Sequence, residues 1–254
     1  MVNYGASIVV TVKDEGKNLR DLLESINRND FRPMETIIVD DMSTDDTEEI
    51  VKGYDFTVYR RIRCSRGEGR NIGSKMARYD FLLFTDGDAT VSKGWISGMT
   101  SSLAEGNDAV IGLTRYIGKR RYMQERVKIY MNGIEVTAPS VNLAYRKERF
   151  LQLGGFDPEF VTAEDIDLNI SAVEAGFRFA TCEGCIVYAK TRENLRSFLR
   201  QAYWNGYGRY QLERKHPGVL RKTEIRIGKN FFDVLHMAAG ATGYLSAKFD
   251  YRKK

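Results

Sequence analysis

The chain is predicted to be an α/β protein: a mostly parallel, doubly wound, Rossmann-like sheet with helices on both faces and a C-terminal helical extension. Two observations predict the sheet. Short β-branched apolar runs alternate with segments of helical period over about the first ninety residues, and acidic or polar clusters follow directly on the ends of those runs. The extension is predicted by an apolar segment at residues 231–247 lying among basic residues.

Ser7-Ile8-Val9-Val10-Thr11-Val12 reads as the first buried strand, and Leu19, Leu22, Leu23 and Ile26 then recur at helical spacing. Thr36-Ile37-Ile38-Val39 is the second strand; it ends in Asp40-Asp41, and Ser43 or Thr44 with Asp46 and Thr47 supplies a cap for the next helix. Residues 56–61 form a third strand, Gly67 to Ala77 a helix, and Phe81-Leu82-Leu83-Phe84 a fourth strand ending at Thr85-Asp86-Gly87-Asp88. Beyond Asp108 come an apolar strand, Ala109 to Leu113, a basic stretch, Lys119-Arg120-Arg121, and the apolar run Val141-Asn142-Leu143-Ala144-Tyr145. The basic stretch reads equally as a flap over an anionic substrate and as a solvated helix face. The expected organisation is a catalytic domain over 1–218, with a donor-binding half (1–100) and an acceptor-binding half (101–218), followed by a basic helical tail over 219–254.

The 254 residues, 43% hydrophobic, suffice for a full core. Residues 219–254 hold eight basic and three acidic side chains, which is the whole formal charge of +5, so the body is neutral. A basic tail on a neutral body points to an anionic surface or partner; nucleic acid is not an expected one. No leader-like or bilayer-length apolar run stands out, and the odd cysteine count (Cys64, Cys182, Cys185) favours unpaired thiols in a reducing, cytoplasmic setting, with peripheral attachment to the inner face of the plasma membrane as an extension. Cys182 and Cys185 have the spacing of half a zinc site, but no second pair exists, so ordinary strand cysteines are expected.

In doubly wound sheets the ligand crevice lies beyond the carboxyl ends of the strands. Three loaded stretches fall there: residues 11–15, Asp40-Asp41 and Asp86-Gly87-Asp88. Any one alone reads as a solvated turn, whereas their recurrence at successive strand ends points to a site. Asp86 and Asp88 offer hard oxygen ligands to Mg²⁺ or Mn²⁺ shared with phosphate, and Gly87 admits a ligand to the backbone. Asp88 is the first choice of ligand, while Asp86 either binds through water or holds a ribose. Further on, Gly154-Gly155-Phe156-Asp157 leads into Glu164-Asp165, where clustered acids at a helix start serve either as a cap or as a general base.

These motifs, in this order over about residues 6–210, resemble glycosyltransferase family 2, the inverting enzymes of the GT-A fold. Thr11-Val12-Lys13-Asp14-Glu15 is similar to the family's opening Pro-x-x-Asn-Glu-like stretch, and Val39-Asp40-Asp41-Met42-Ser43 to its Val-Asp-Asp-x-Ser element, whose second aspartate reads the nucleobase. Arg70-Asn71-Ile72-Gly73 matches Arg-Asn-x-Gly, and Thr85 to Asp88 the metal-binding aspartates. The resemblance implies a donor site built from Thr11, Lys13, Glu15, Asp40, Asp41, Arg70, Asn71, Asp86 and Gly87. It also implies a metal at Asp88 and Asp86, and Asp165 with Glu164 as the catalytic acids, Asp165 being the base. Arg200, Gln201 and Trp204 resemble the family's late helix near pyrophosphate or acceptor. Ala89 replaces a third aspartate, and Ala189-Lys190 replaces a histidine ligand, so either the metal is held more weakly or Lys190 supplies positive charge in its place. The implied reaction moves a sugar from a nucleotide diphosphate, UDP favoured, to a glycan or lipid-linked acceptor hydroxyl. Processive synthesis is not expected, since the full Gln-x-x-Arg-Trp pattern is missing.

Other readings fit less well. Gly67 to Gly73 places its last glycine one residue late for a dinucleotide fingerprint, and a nucleotidyltransferase should carry a glycine-rich loop after its first strand, where residues 11–17 hold one glycine. A non-catalytic polyanion-binding module, holding RNA or glycan through the basic stretches and Tyr203, Trp204, Tyr207 and Tyr210, is the alternative from another class. In the tail, Phe231, Phe232, Leu235, Ala238, Ala239 and Leu245 form an apolar face, to be covered by a membrane interface, the chain's own core or a second subunit in a homodimer.

Overall fold

Strand β1 (Ala6–Val12) lies at the centre of an eight-stranded sheet because it is flanked on both sides by parallel partners, β2 (Met34–Asp40) and β4 (Phe81–Asp86). The computed structural model describes residues 4–122, 128–222 and 230–252, with the side chains of 120, 221 and 222 left aside. The remaining strands are β3 (Thr57–Arg61), β5 (Ala89–Val91), β6 (Ala109–Ile117), β9 (Leu143–Arg146) and β10 (Phe179–Lys190), giving the order β3-β2-β1-β4-β9-β6-β10-β5. β1 to β4 are parallel to one another, β9 runs antiparallel between β4 and β6, and β5 runs antiparallel on β10. The sheet is thus mostly parallel, with its strand order reversing between β1 and β4. A small hairpin, β7 (Tyr130–Met131) and β8 (Ile134–Glu135), turns at Asn132-Gly133, both with positive φ.

Two-residue alternation sorts the strand side chains between two cores. Ile8, Val10 and Val12 face α1 (Gly16–Asn27), α2 (Thr47–Lys52) and α4 (Trp95–Ala104); Val9, Ile37 and Val39 face α3 (Arg66–Met76), α5 (Lys147–Gln152) and α6 (Glu164–Glu174). Helices therefore cover both faces, as predicted. A third cluster joins α6 to α7 (Leu195–Lys215) through Ile170, Val173 and Leu212.

Several local expectations are corrected. Neither Ser43 nor Thr44 caps α2: its N-cap is Asp46, without a side-chain capping bond, because Ser43 is drawn to Asp40 and Thr44 to Asp14. Ser65 and Glu68 instead form a reciprocal capping box on α3. Within the basic stretch Lys119-Arg120-Arg121, Arg120–Tyr122 is a 3₁₀ turn rather than a regular helix, and Lys119 donates to the Glu193 carbonyl at 2.7 Å. The run at 141–145 splits into a 3₁₀ turn (Ser140–Asn142) and β9. Cys182 and Cys185 are not separate thiols but a disulfide, Cα–Cα 5.3 Å, because a bulge in β10 between Cys182 and Ile186 turns both sulfurs onto Gly98 of α4. An odd count leaves one cysteine over, and that is Cys64, half-buried, its thiol pushed up to about 11 by burial and by Asp41.

The tail forms α8 (Phe231–Asp250), capped by a reciprocal Asn230–Asp233 box and packed along α7. Backbones touch there: a Cβ on Gly206 would lie 1.8 Å from the Gly240 carbonyl oxygen, and one on Gly243 1.8 Å from that of Tyr203. Among the described residues no helix is long and apolar enough to cross a membrane.

Candidate functional site

The loaded stretches after β1, β2 and β4 converge at one end of the sheet, at the point where its strand order reverses. Three turns around this crevice hold non-glycine residues in the left-handed region: Asp14 (φ 53°), Met42 (φ 56°) and Ala163 (φ 66°). Such backbone is uncommon and costs about 1–3 kcal/mol per residue, so its clustering here marks conformations that the surrounding contacts impose. After β1, Asp14 N–H donates to Ser43, Glu15 N–H to Thr47 and Gly16 N–H to Asp45, so the β1 and β2 loops fold onto each other.

On the β2 side, Asp41 accepts from Lys13 Nζ at 2.8 Å and from the Cys64 N–H at 3.2 Å. Burial works to raise its pKa, but Lys13 and the Cys64 amide outweigh that and hold the carboxyl below its ordinary value. Asp40 behaves otherwise. It is fully buried, its oxygens taken up by Ser43 and the Tyr59 hydroxyl, so it shapes the loop and has no face towards a ligand.

Arg70 links segments far apart in the chain. Only 1% exposed, it spans Glu164 at 2.9 Å and Asp86 at 2.7 Å, joining α3, the end of β4 and the start of α6. Asn71 makes the parallel link, exchanging hydrogen bonds with the Phe156 backbone at 2.7 and 2.9 Å. In this structure both residues tie α3 to the segment around 156–164. Thr11 packs under Gly69 at the start of α3, and a Cβ at Gly87 would meet Val12 at 2.9 Å.

The carboxylates that remain crowd one another. Burial first, then Asp86, raises the pKa of Asp88, while Arg192 and Arg66 pull it back. Burial, Asp88 and Asp86 likewise raise Glu15, against the hydrogen bond from Asn18. Glu164, buried beside Asp165, is raised by desolvation and by that neighbour against Arg70 and Arg66. Asp165 itself is half-exposed, its carboxylate oriented by the N–H and hydroxyl of Ser140 and by the Ile166 N–H. Of the two adjacent acids, Asp165 is therefore the one that an outside hydroxyl can reach.

Two residues of this cluster had not been anticipated. Arg66 reaches solvent at the crevice mouth, and against partial desolvation its pKa is raised by Asp86, Glu164, Asp165 and Asp88 together. Its signal was the Arg66/Arg70 spacing, which puts both on one face of a helix. Arg192 acts on Asp88 in the place foreseen for Lys190, which turns instead to Asn18 of α1 at 2.6 Å. Arg200 and Gln201 are exposed on α7, and Trp204 packs against Tyr203 and Tyr207. Helix α7 nevertheless reaches the site's edge, since Gly208 lies against Thr162 and Ala163 just before the acids.

Asp86 and Asp88 supply an oxygen-only donor pair whose mutual repulsion a cation would relieve, which suits Mg²⁺ or Mn²⁺ sharing its other positions with phosphate and water. Among the described residues no three acidic, histidine or cysteine side chains gather into a closed metal cage, so neither that nor a zinc site is formed by protein alone.

A curled, mostly parallel sheet with a carboxylate-lined crevice at its strand-order reversal is the GT-A architecture. The profile of glycosyl transferase family 2 matches residues 7–161, and the chain belongs to that family. Pre-mycofactocin glycosyltransferase of Mycobacterium tuberculosis is 25% identical over 231 residues, covering 83% of this chain and 48% of that protein. Hyaluronan synthase of Pasteurella multocida is 25% identical over 265 residues, covering 90% of this chain and 26% of that one. The chain thus spans half or less of the length of these relatives. Among solved structures, Staphylococcus aureus TarS 1–349 in complex with UDP-GlcNAc superposes with a TM-score of 0.69 at 20% identity, covering 97% of this chain and 73% of that one. Mannosyltransferase PcManGT of Pyrobaculum calidifontis, in complex with GDP-Man and Mn²⁺, gives 0.67 at 16% identity, covering 98% and 76%. Both likenesses speak to the fold.

Proposed function

We propose that this chain transfers a sugar, with inversion, from a nucleotide diphosphate to an acceptor hydroxyl. The observation that carries the reading is the convergence of Asp86, Asp88, Glu164 and Asp165 on Arg66 at the sheet's strand-order reversal. Residues 1–218 form the catalytic unit, with the donor on the side of 1–100 and the acceptor, a glycan or lipid-linked hydroxyl, on the side of 101–218.

Asp41, oriented by Lys13 and the Cys64 amide, accepts from a nucleobase N–H, and UDP is the favoured donor. Asp88 and Asp86 hold a Mn²⁺ or Mg²⁺ ion, which when bound supplies positive charge to the diphosphate leaving group. Arg66 and Arg192 border the same space and add to that field. Asp165 takes the proton from the acceptor hydroxyl as its oxygen bonds to the anomeric carbon and the bond to the diphosphate breaks. Glu164, locked to Arg70, is a positioning residue for its neighbour.

The test is a thermal-shift panel of UDP-, GDP- and dTDP-sugars with and without Mn²⁺, because a ligand that binds only the folded state raises its melting temperature. A rise with a UDP-sugar that needs Mn²⁺ and disappears in Asp88→Asn is expected. No shift with any of the nucleotides would overturn the proposal.

A further inference from the structure

Helix α8 uses its small residues inward and its large ones outward. Gly240, Gly243 and Ala247 face α7, whereas Phe231, Val234, Met237, Leu245 and Phe249 are exposed, from 44% at Met237 to 70% at Phe231. At 100° per residue these five fall within an arc of about 120°, with exposed Ala238 and Ala241 between them, so they form one continuous stripe about 30 Å long. A monomeric soluble surface rarely keeps such a stripe uncovered. Exposed Lys248 and Arg252 lie at its C-terminal end, within the 219–254 segment that carries the chain's entire formal charge of +5.

We infer that this stripe docks on an anionic lipid bilayer, with α8 lying in the plane of the interface. Charge selects the occupant. An apolar face of that width, ending in an exposed lysine and arginine while Asp250 turns away to the Tyr207 hydroxyl, matches the boundary between head groups and acyl chains, where the apolar side chains sink and the basic ones reach up to phosphate. The contact is made without loosening the fold, since the packing of α8 on the protein uses the opposite, glycine-rich side. It does not rest on the sugar-transfer proposal, although α7 lies between α8 and the loop that presents Asp165.

The experiment is co-sedimentation of the full chain with vesicles of phosphatidylcholine alone and with about 30% phosphatidylglycerol. Binding to the anionic vesicles only is expected, weakening at least tenfold between about 0.1 M and 0.5 M NaCl. Leu245→Asp with Phe249→Asp should abolish it, and Lys248→Glu with Arg252→Glu should remove the anionic preference. All four positions are exposed, so both variants should melt with the parent chain, and an unchanged melting temperature is the control for folding. Three results would overturn the inference: no sedimentation of the folded chain with anionic vesicles, binding undiminished in the double aspartate variant, or a salt-resistant dimer in analytical ultracentrifugation that this variant dissociates. The last would give the face to a second copy.

Discussion

Two sets of carboxylates leave the first turn of α6 in different directions and meet opposite treatment. Asp167 turns to Lys215 Nζ at 2.9 Å and His216 Nε2 at 2.7 Å, and Lys215 also holds Asp157 at 2.7 Å. Burial works against the Asp157 carboxylate and the Lys215 ammonium, but their pairing prevails, lowering the first pKa and raising the second. Three residues earlier, Glu164 enters a group in which Glu15, Asp88 and Glu164 all have raised pKa values. In one cluster each carboxylate has a lysine or histidine partner, and the contacts tie α6 to α7. The other sets Glu15, Asp86, Asp88, Glu164 and Asp165 against Arg66, Arg70 and Arg192 and still keeps three raised pKa values, the electrostatic pattern that functional sites show.

The comparison breaks most visibly at the two aspartates. Asp165→Asn should lower kcat by about 10²–10⁴ with donor binding retained, the usual worth of a general base, while Asp167→Asn, assayed below its melting temperature, should leave kcat near the parent value. Equal losses in both would erase the distinction. Next, Arg70→Met should cost about 3–5 kcal/mol in urea unfolding, because it strands buried Glu164 without its partner. Asp167→Asn should cost less, about 1–3 kcal/mol, as the amide keeps the shape and part of the hydrogen bonding.

The smallest effect has the opposite sign. Asp88 is harder to ionise folded than unfolded, so its charge subtracts stability above the raised folded pKa, and the penalty fades as pH falls towards its ordinary value of 3.8. Asp88→Asn should therefore raise the melting temperature by a few degrees at pH 7, and the gain should vanish near pH 4. Asp157 is the mirror case: its stabilisation is complete above 3.8 and is lost as pH falls through its lower folded pKa. Melting curves of Asp157→Asn should show a deficit at pH 7 that closes only below about pH 4. A destabilised Asp88→Asn protein at pH 7 would mean that its site is balanced like the other.

Much of this could be read from residues alone where the signal was local. The strands at 6–12, 34–40 and 81–86 are apolar runs buried on both faces, and the acids at their ends met in one crevice because a parallel sheet brings like ends together. The roles within the crevice were less legible. Arg70, Asn71 and Asp40 carry the chemistry of ligand binders, yet their partners lie far along the chain or across a strand, at Glu164, Phe156 and Tyr59. The same blindness hid Arg66 and Arg192, which matter because Asp86 and Asp88 stand beside them in space.

By itself, then, the sequence determined the alternation of strands and helices, the placing of acids at strand ends, and the concentration of charge in the last segment, since periodicity and composition act over a few residues. Only the tertiary structure decided which carboxylates are consumed by arginine and lysine and which stay uncompensated, that Cys182 and Cys185 join, and which side of α8 is spent on α7. Those outcomes depend on distance and burial between segments tens of residues apart, and folding alone sets both.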